Sequence, residues 1–498
     1  MTPDSAKPSA ARLFFLGVLG YFALQIGLRL LLGGSVELDE AEQLVMTQEW
    51  HLGYEVQPPL YTWLQAGVFA VFGINIFAFA LLKNALLAGV CGFVFAGVRE
   101  MTGEVRAAIA AAAGMFLLPQ FIWEAQRDQT HSVLATLIAA ATLWRFVRLG
   151  KNPSVMNYLW FGVCAALGCL SKYNYAIFLV TLLAAALSLA DFRKALLRWR
   201  ALAGLLVFAV ILAPHTMWMA THRATVLARA GEVQVAAGNI FSALGASFGS
   251  LVSAVVAFSG LAVAAYAILF GRAAIVAEEA AEFRKHRRLV ARILVVGGWL
   301  CLAMVVCVQA RFKDRWMQPL LFLTPVFLTL AVFRRLDETR LKHLLRLTAG
   351  LGAAVLVILL VTPFWAAATH HHRYLNPDYA ALAAQIKARG FERGIVIASD
   401  RKIGGNLRLT FRDSVITGVN YPPVAMPANV PCVVVWTADR DGSIAPSALV
   451  TNAVWKLRGV NLAESGIAEV VEIPREHTAE KPVTFAFKLL PAVSVATP

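Results

Sequence analysis

The sequence predicts a polytopic α-helical membrane protein of about eleven to thirteen spans with a small C-terminal α/β domain. Three observations carry that expectation. Of 498 residues, 59% are apolar and only 15% charged, and mean hydropathy is strongly positive, a composition of membrane chains rather than of soluble ones. Apolar runs near twenty residues, each able to cross a hydrocarbon core of ~30 Å, recur from Leu13 to Ala366. After Thr369 the composition shifts to short mixed patterns.

The first run, 13–33, is long for a signal peptide and lacks a small-residue cleavage site, so it reads as a retained anchor. Further spans are expected at 77–98, 107–123, 132–148, 155–170, 174–190, 201–219, 246–271, 292–310, 317–333 and 346–366. The stretch 60–73 is apolar but short, which places it in the interface or as a re-entrant piece. Beyond the spans, 378–389 has amphipathic helical spacing and 403–412 reads as a second helix. Gly394–Ala398 and Cys432–Trp436 have buried-strand patterns. The domain expectation is therefore 1–369 in the membrane and 370–498 outside it. The run His370-His371-His372 at the junction reads as an exposed linker.

Alternating eleven crossings sorts the charges. Twenty-two Lys and Arg fall on one side. The other side has seven: Arg127, Lys172, Arg223, Arg229, Arg311, Lys313 and Arg315. Lys and Arg resist translocation, so the rich side is assigned to the cytoplasm and the poor side, with the C-terminal domain, to the periplasm of a bacterial inner membrane. The +15 formal charge is then a topology signal, and nucleic acid is excluded as a partner. The six cysteines lack CxxC pairing or disulfide spacing, and five lie in apolar helices. No solenoid-period repeat is present.

The basic-poor side is where chemistry collects. The first loop holds Asp39, Glu40, Glu42, Glu49, His51, Tyr54 and Glu55, followed by Gln57-Pro58-Pro59-Leu60-Tyr61. Carboxylates beside a bilayer are expensive unless they serve a purpose. Asp39 and Glu40 head a helix-like run, as general-base candidates or as interface solvation and capping with Ser35 and Glu37. Arg127, Asp128 and His131 sit at the mouth of a helix, where Asp128 and His131 share a face if the helix starts there. Arg127 suits either phosphate or a local ion pair. Lys172, flanked by Tyr173 and Tyr175, suits an interfacial belt or a sugar-phosphate pocket. Arg311, Lys313 and Arg315 run against the charge bias, which favours phosphate binding. A divalent cation shared by Asp39, Asp128 and His131 is compatible with their types but not specified by spacing.

These motifs resemble the membrane glycosyltransferases of the GT-C class, and most closely the aminoarabinose transferases and dolichyl-phosphate-mannose-protein mannosyltransferases. The matches are Asp39-Glu40, Pro58-Pro59-Leu60, Asp128, Lys172 and Arg315-Trp316-Met317-Gln318-Pro319, spread over roughly 1–370. Aminoarabinose transferases commonly carry Lys before the Pro-Pro pair, where this chain has Gln57.

The resemblance implies a GT-C fold and an inverting transfer. The donor would be a polyprenyl-phosphate-linked sugar and the acceptor lipid A or lipopolysaccharide core, among membrane lipids. Asp39, Glu40 and Asp128 would be catalytic. Tyr54, Gln57, Tyr61, Arg127, His131, Lys172, Tyr173, Lys313 and Arg315 would bind substrate. The Gln57 variant also resembles a branch that uses polyprenyl-phosphate galacturonic acid. A protein O-mannosyltransferase differs only in acceptor. A lipid-linked sugar transporter or flippase, of another class, would place charges mid-helix, where only Arg29 and Lys83 are found.

Overall fold

The computed structural model describes residues 9–54, 57–223, 239–271, 281–438, 444–462 and 464–492. Glu55 and Arg229 lie outside the described residues. The chain divides into two compact units, one of residues 1–24, 52–61 and 83–355, the other of residues 25–51, 62–82 and 356–498.

All eleven expected spans are helical, but not equally so. Seven helices among the described residues are long and apolar enough to cross alone: Ala10–Leu31, Ile76–Thr102, His131–Lys151, Ala201–Thr221, Ile240–Phe270, Phe283–Val308 and Glu338–Ala368. Two bent pairs raise this to nine: Val105–Leu117 with Gln120–Asp128, bent by 72°, and Tyr175–Ser188 with Ala190–Leu196, bent by 113°. Val155–Ser171 is shorter, and the expected 317–333 span is interrupted into Gln318–Leu321 and Leu323–Val332. The segment 60–73 forms the 13-residue helix Leu60–Phe72. The first bend has a local cause. Pro119 follows a 3₁₀ turn, and Gln120–Glu124 then winds as a π-turn, a form that recurs at functional sites.

In the first unit, close packing is built on small residues. Gly204 of Ala201–Thr221 lies against Tyr158 and Gly162 of Val155–Ser171, where a Cβ would collide with backbone. Such contacts let helices approach in a medium that offers no hydrophobic drive between them.

The second unit contains a mixed sheet of β1 (Ile395–Ala398), β2 (Val415–Gly418), β3 (Cys432–Thr437), β4 (Glu469–Arg475) and β5 (Thr478–Leu490) in the order β2-β1-β3-β5-β4. β1 pairs in parallel with β2 and β3, and β5 antiparallel with β3 and β4. Both faces are covered, which explains the continuous apolar runs in β1 and β3. Val396, Ala398, Val433, Val435, Phe485 and Phe487 pack with Leu382, Ile386, Ile403 and Leu407 of helices Tyr379–Ala388 and Arg401–Arg408. Ile395, Ile397, Val434 and Trp436 pack with Val450 and Val454 of helix Ala448–Arg458. The expected helices at 378–389 and 403–412 are present, the second beginning at Arg401.

The acidic run belongs to this same unit. It forms the helix Leu38–Met46, whose Val45 joins the first sheet-face cluster. Val36, Ala41 and Leu44 pack with Phe69, Ala78 and Phe79. At Gly405 a Cβ would fall on the backbone of Ala41, so only glycine permits this helix–helix approach. The histidine run departs from its linker reading: His370 and His371 are exposed, but His372 is buried.

Candidate active site

The acidic helix is held by a set of ion pairs. Glu37 stands at its N-cap position without a side-chain cap bond and instead accepts from Lys402 Nζ at 2.6 Å. Glu40 is buried and pairs with Arg29 Nη2 at 3.4 Å. The same guanidinium donates to the Ser35 carbonyl at 2.7 Å, tying the end of helix Ala10–Leu31 to the start of the acidic helix. Glu42 accepts from Arg401 Nη1 at 3.3 Å. Asp39 is half-buried in the first turn, where the helix dipole favours an anion. Asn406 brackets Val36, accepting from its N–H at 2.8 Å and donating to its C=O at 3.0 Å. Arg408 donates to the Leu44 carbonyl and to Thr47 Oγ1, and burial draws its guanidinium down to about 10, still a cation at neutral pH. Gln48 exchanges two hydrogen bonds of 2.8 Å with the backbone of Ile416.

The other candidates fall in the first unit. His131 starts the helix His131–Lys151 and is buried, with Nδ1 3.1 Å from the Ser171 carbonyl. Lys172, half-buried at the end of Val155–Ser171, donates to Ser132 Oγ at 2.5 Å. Tyr61 is fully buried, its ring centroid 5.2 Å from that of His131. Tyr61, His131, Ser132 and Lys172 thus form one cluster. Asp128 does not share a helix face with His131 as the spacing suggested. It closes the short helix Ala125–Asp128, and extended Gln129 breaks the chain before His131. Arg127 is exposed and pairs with Glu124 at 3.3 Å, a contact worth little on an open surface. Buried Tyr54 exchanges backbone bonds with Gln57 at 3.0 and 2.9 Å.

Within the basic cluster, Arg311 and Lys313 are exposed and Arg315 is half-buried. Lys313 Nζ lies 5.3 Å from the Trp316 ring. Asp314 accepts from Gln120 Nε2 at 2.6 Å, Gln318 donates to the Gln120 carbonyl at 3.4 Å, and Asn174 donates to the Trp316 carbonyl at 2.5 Å. Tyr173 stacks on His215 (centroids 5.8 Å, 22°) and His215 on Trp218 (5.9 Å, 10°). His215 is fixed through Nδ1 to the Leu52 carbonyl at 2.7 Å.

Several buried polar atoms of this unit have no hydrogen-bond partner among the described residues: Tyr173 Oη, Asn174 Oδ1, Gln120 Oε1, Gln318 Oε1 and His215 Nε2. Burial pushes the Tyr173 phenol up to about 12, so it stays a neutral donor. Leaving such groups unmet in a low-dielectric setting is costly. Gln120 and Asn174 carried no motif, and their only sequence signal was amide side chains at the ends of apolar runs.

Comparison with known proteins decides the family. Residues 56–218 match the dolichyl-phosphate-mannose-protein mannosyltransferase family. The lipopolysaccharide core galacturonosyltransferase RgtB of Rhizobium johnstonii is 32% identical over 433 residues, covering 85% of this chain and 87% of its own. RgtA of the same organism is 32% identical over 445 residues, covering 86% and 87%. This chain is a GT-C membrane glycosyltransferase. In fold it resembles the crystal structure of ArnT from Cupriavidus metallidurans bound to undecaprenyl phosphate, with TM-score 0.61, 12% identity, and coverage of 95% and 97%. The GT-C fold expected from the motifs and the multi-pass membrane character expected from the apolar runs are thereby established.

Proposed function

We propose that this glycosyltransferase moves a sugar, of the galacturonic acid class, from a polyprenyl-phosphate donor to lipopolysaccharide core at the periplasmic leaflet of the inner membrane. The observation that carries the reading is the set of buried, unmet polar atoms around Tyr173, Asn174, Gln120 and Gln318 in the unit that also holds Lys172 and Arg315. Hydroxyl-rich and anionic chemistry satisfies both sets. The names of the two Rhizobium relatives support the sugar and acceptor classes.

In the reaction the acceptor hydroxyl oxygen attacks the anomeric carbon, the bond from that carbon to the phosphate oxygen breaks, and polyprenyl phosphate leaves. Asp39 takes the hydroxyl proton. Lys172 and Arg315 hold the phosphate charge that grows as the bond breaks, in a chain that has Gln57 where the aminoarabinose transferases commonly carry Lys. Glu40, Asp128, Tyr54, Gln57, Tyr61, His131 and Tyr173 position sugar and acceptor, and Arg127 and Lys313 lie at the margin. The phosphate is already a competent leaving group, so the scheme needs no general acid.

The test is turnover by purified Asp39→Asn with a polyprenyl-phosphate uronic acid and lipopolysaccharide core. Loss of the base lowers the rate by ~10²–10⁴-fold while donor binding survives. Near-wild-type turnover rules Asp39 out. Transfer from a nucleotide sugar in place of the lipid donor overturns the donor assignment.

A further inference from the structure

The helix Glu338–Ala368 ends in a turn that favours glycine but carries histidine. The N–H of His371 donates to the Ala366 carbonyl at 2.9 Å and that of His370 to the Ala367 carbonyl at 3.4 Å. This paired pattern is the Schellman motif, whose penultimate position is left-handed. His370 occupies it with φ +58°, a conformation that a residue with a Cβ adopts at a cost. The turn therefore places an imidazole where a cheaper residue was available.

Two residues on, His372 opens the 3₁₀ turn His372–Tyr374. It is only 7% exposed, and neither ring nitrogen has a hydrogen-bond partner among the described residues. A buried imidazole with both nitrogens unmet is missing something that binds nitrogen. Facing it from β5 is Glu480, with Oε2 2.5 Å from His370 Nδ1 and 3.9 Å from His372 Nε2. The three donor atoms lie within 4.8 Å of one another.

Those separations suit a shared ion. With ligand bonds of about 2.0–2.2 Å in a tetrahedral zinc site, adjacent donor atoms stand about 3.3–3.5 Å apart. The observed 2.5 and 3.9 Å bracket that spacing. Two imidazoles and one carboxylate suit zinc and its neighbours, whereas calcium and magnesium take oxygen ligands. A hollow of about 490 Å³ lined by His370, His371, His372 and Lys481 opens beside the cluster and leaves room for a fourth ligand. The Lys481 ammonium on its wall favours an anionic one.

We propose that His370, His372 and Glu480 form a binding site for a zinc-class divalent ion. Bound there, the ion clips the end of the helix Glu338–Ala368 to the β4–β5 hairpin. Its role is structural, and it stands independently of the proposed transfer reaction.

The test uses the full-length protein in detergent, without a histidine tag, stripped with chelator and titrated with zinc chloride alone by calorimetry. Wild type takes up one equivalent. Glu480→Gln and His370→Gly each weaken binding at least tenfold. His370→Gly also supplies the residue that the left-handed position prefers, so its metal-free thermal midpoint stays at or above wild type, which separates lost ligation from lost folding. If wild type takes up no stoichiometric zinc, or if both variants bind it as tightly as wild type, the site is refuted.

Discussion

Replacing Asn406 by leucine tests whether the acidic helix is pinned from the C-terminal part of its unit. Asn406 is 2% exposed and Val36 fully buried, and their two hydrogen bonds are of good length, 2.8 and 3.0 Å. Leucine is close in volume, so the change removes polar partners rather than opening a cavity. Two buried backbone groups then go unmet at about 1–3 kcal/mol each, and partial relaxation leaves about 2–4 kcal/mol. Local opening of the 33–46 segment becomes easier by that amount, and its amide exchange speeds up by roughly 25- to 700-fold at 1.4 kcal/mol per decade. Asn406→Asp keeps the acceptor for Val36 N–H and loses the donor to its C=O, so it falls between. Hydrogen exchange read by mass spectrometry on peptides spanning 33–46 measures both. Exchange within threefold of wild type in Asn406→Leu refutes the pinning.

Lys172→Ala and Arg315→Ala each weaken polyprenyl-phosphate-sugar binding by about ten- to a hundred-fold, since a charge-assisted contact contributes roughly 1.5–3 kcal/mol; if both bind as wild type does, the phosphate clamp lies elsewhere, with Arg127 next. Tyr173→Phe leaves thermal stability unchanged or higher, because its hydroxyl has no partner among the described residues, but lowers transfer activity; equal activity removes Tyr173 from the sugar site. In a cysteine-free background, cysteine at exposed Trp50 reacts with an impermeant thiol reagent in intact spheroplasts and cysteine at exposed Arg288 does not; the opposite labelling inverts the topology.

What the sequence disclosed, and what it withheld, follows from the range of the interactions. Apolar runs are local, so all eleven segments were legible, as were the helix beginning near Asp39 and strands β1 and β3. Strands β2, β4 and β5 were not: β2 is only four residues long, and exposed charged residues such as Glu472 and Lys481 break the apolar pattern of β4 and β5. Bends were missed where a single feature such as Pro119 redirects an otherwise apolar run. The partners of the acidic residues were illegible for another reason. Asn406 lies 370 residues from Val36 and Lys402 lies 365 from Glu37, and nothing in the 401–408 stretch advertises its partner. Lys172 was identified from its type and place, but its contact with Ser132 and the ring of Tyr61 against His131 required the fold.

The docking of the acidic helix bears on the proposal that Asp39 is the base. At 100° per residue, Glu37, Ala41, Leu44 and Gln48 line one stripe, and these residues meet Lys402, Gly405, Arg408 and Ile416. Asp39 lies about half a turn away from that stripe and is half-buried. Glu40 and Glu42 flank it, each within ion-pair distance of a guanidinium, Arg29 and Arg401. The stripe that meets the 401–416 segment therefore lies on the opposite side of the helix from Asp39. A proton acceptor is most effective when held by a rigid element and supported from behind. The four contacts of the stripe supply that support to the helix that carries Asp39, the base proposed above.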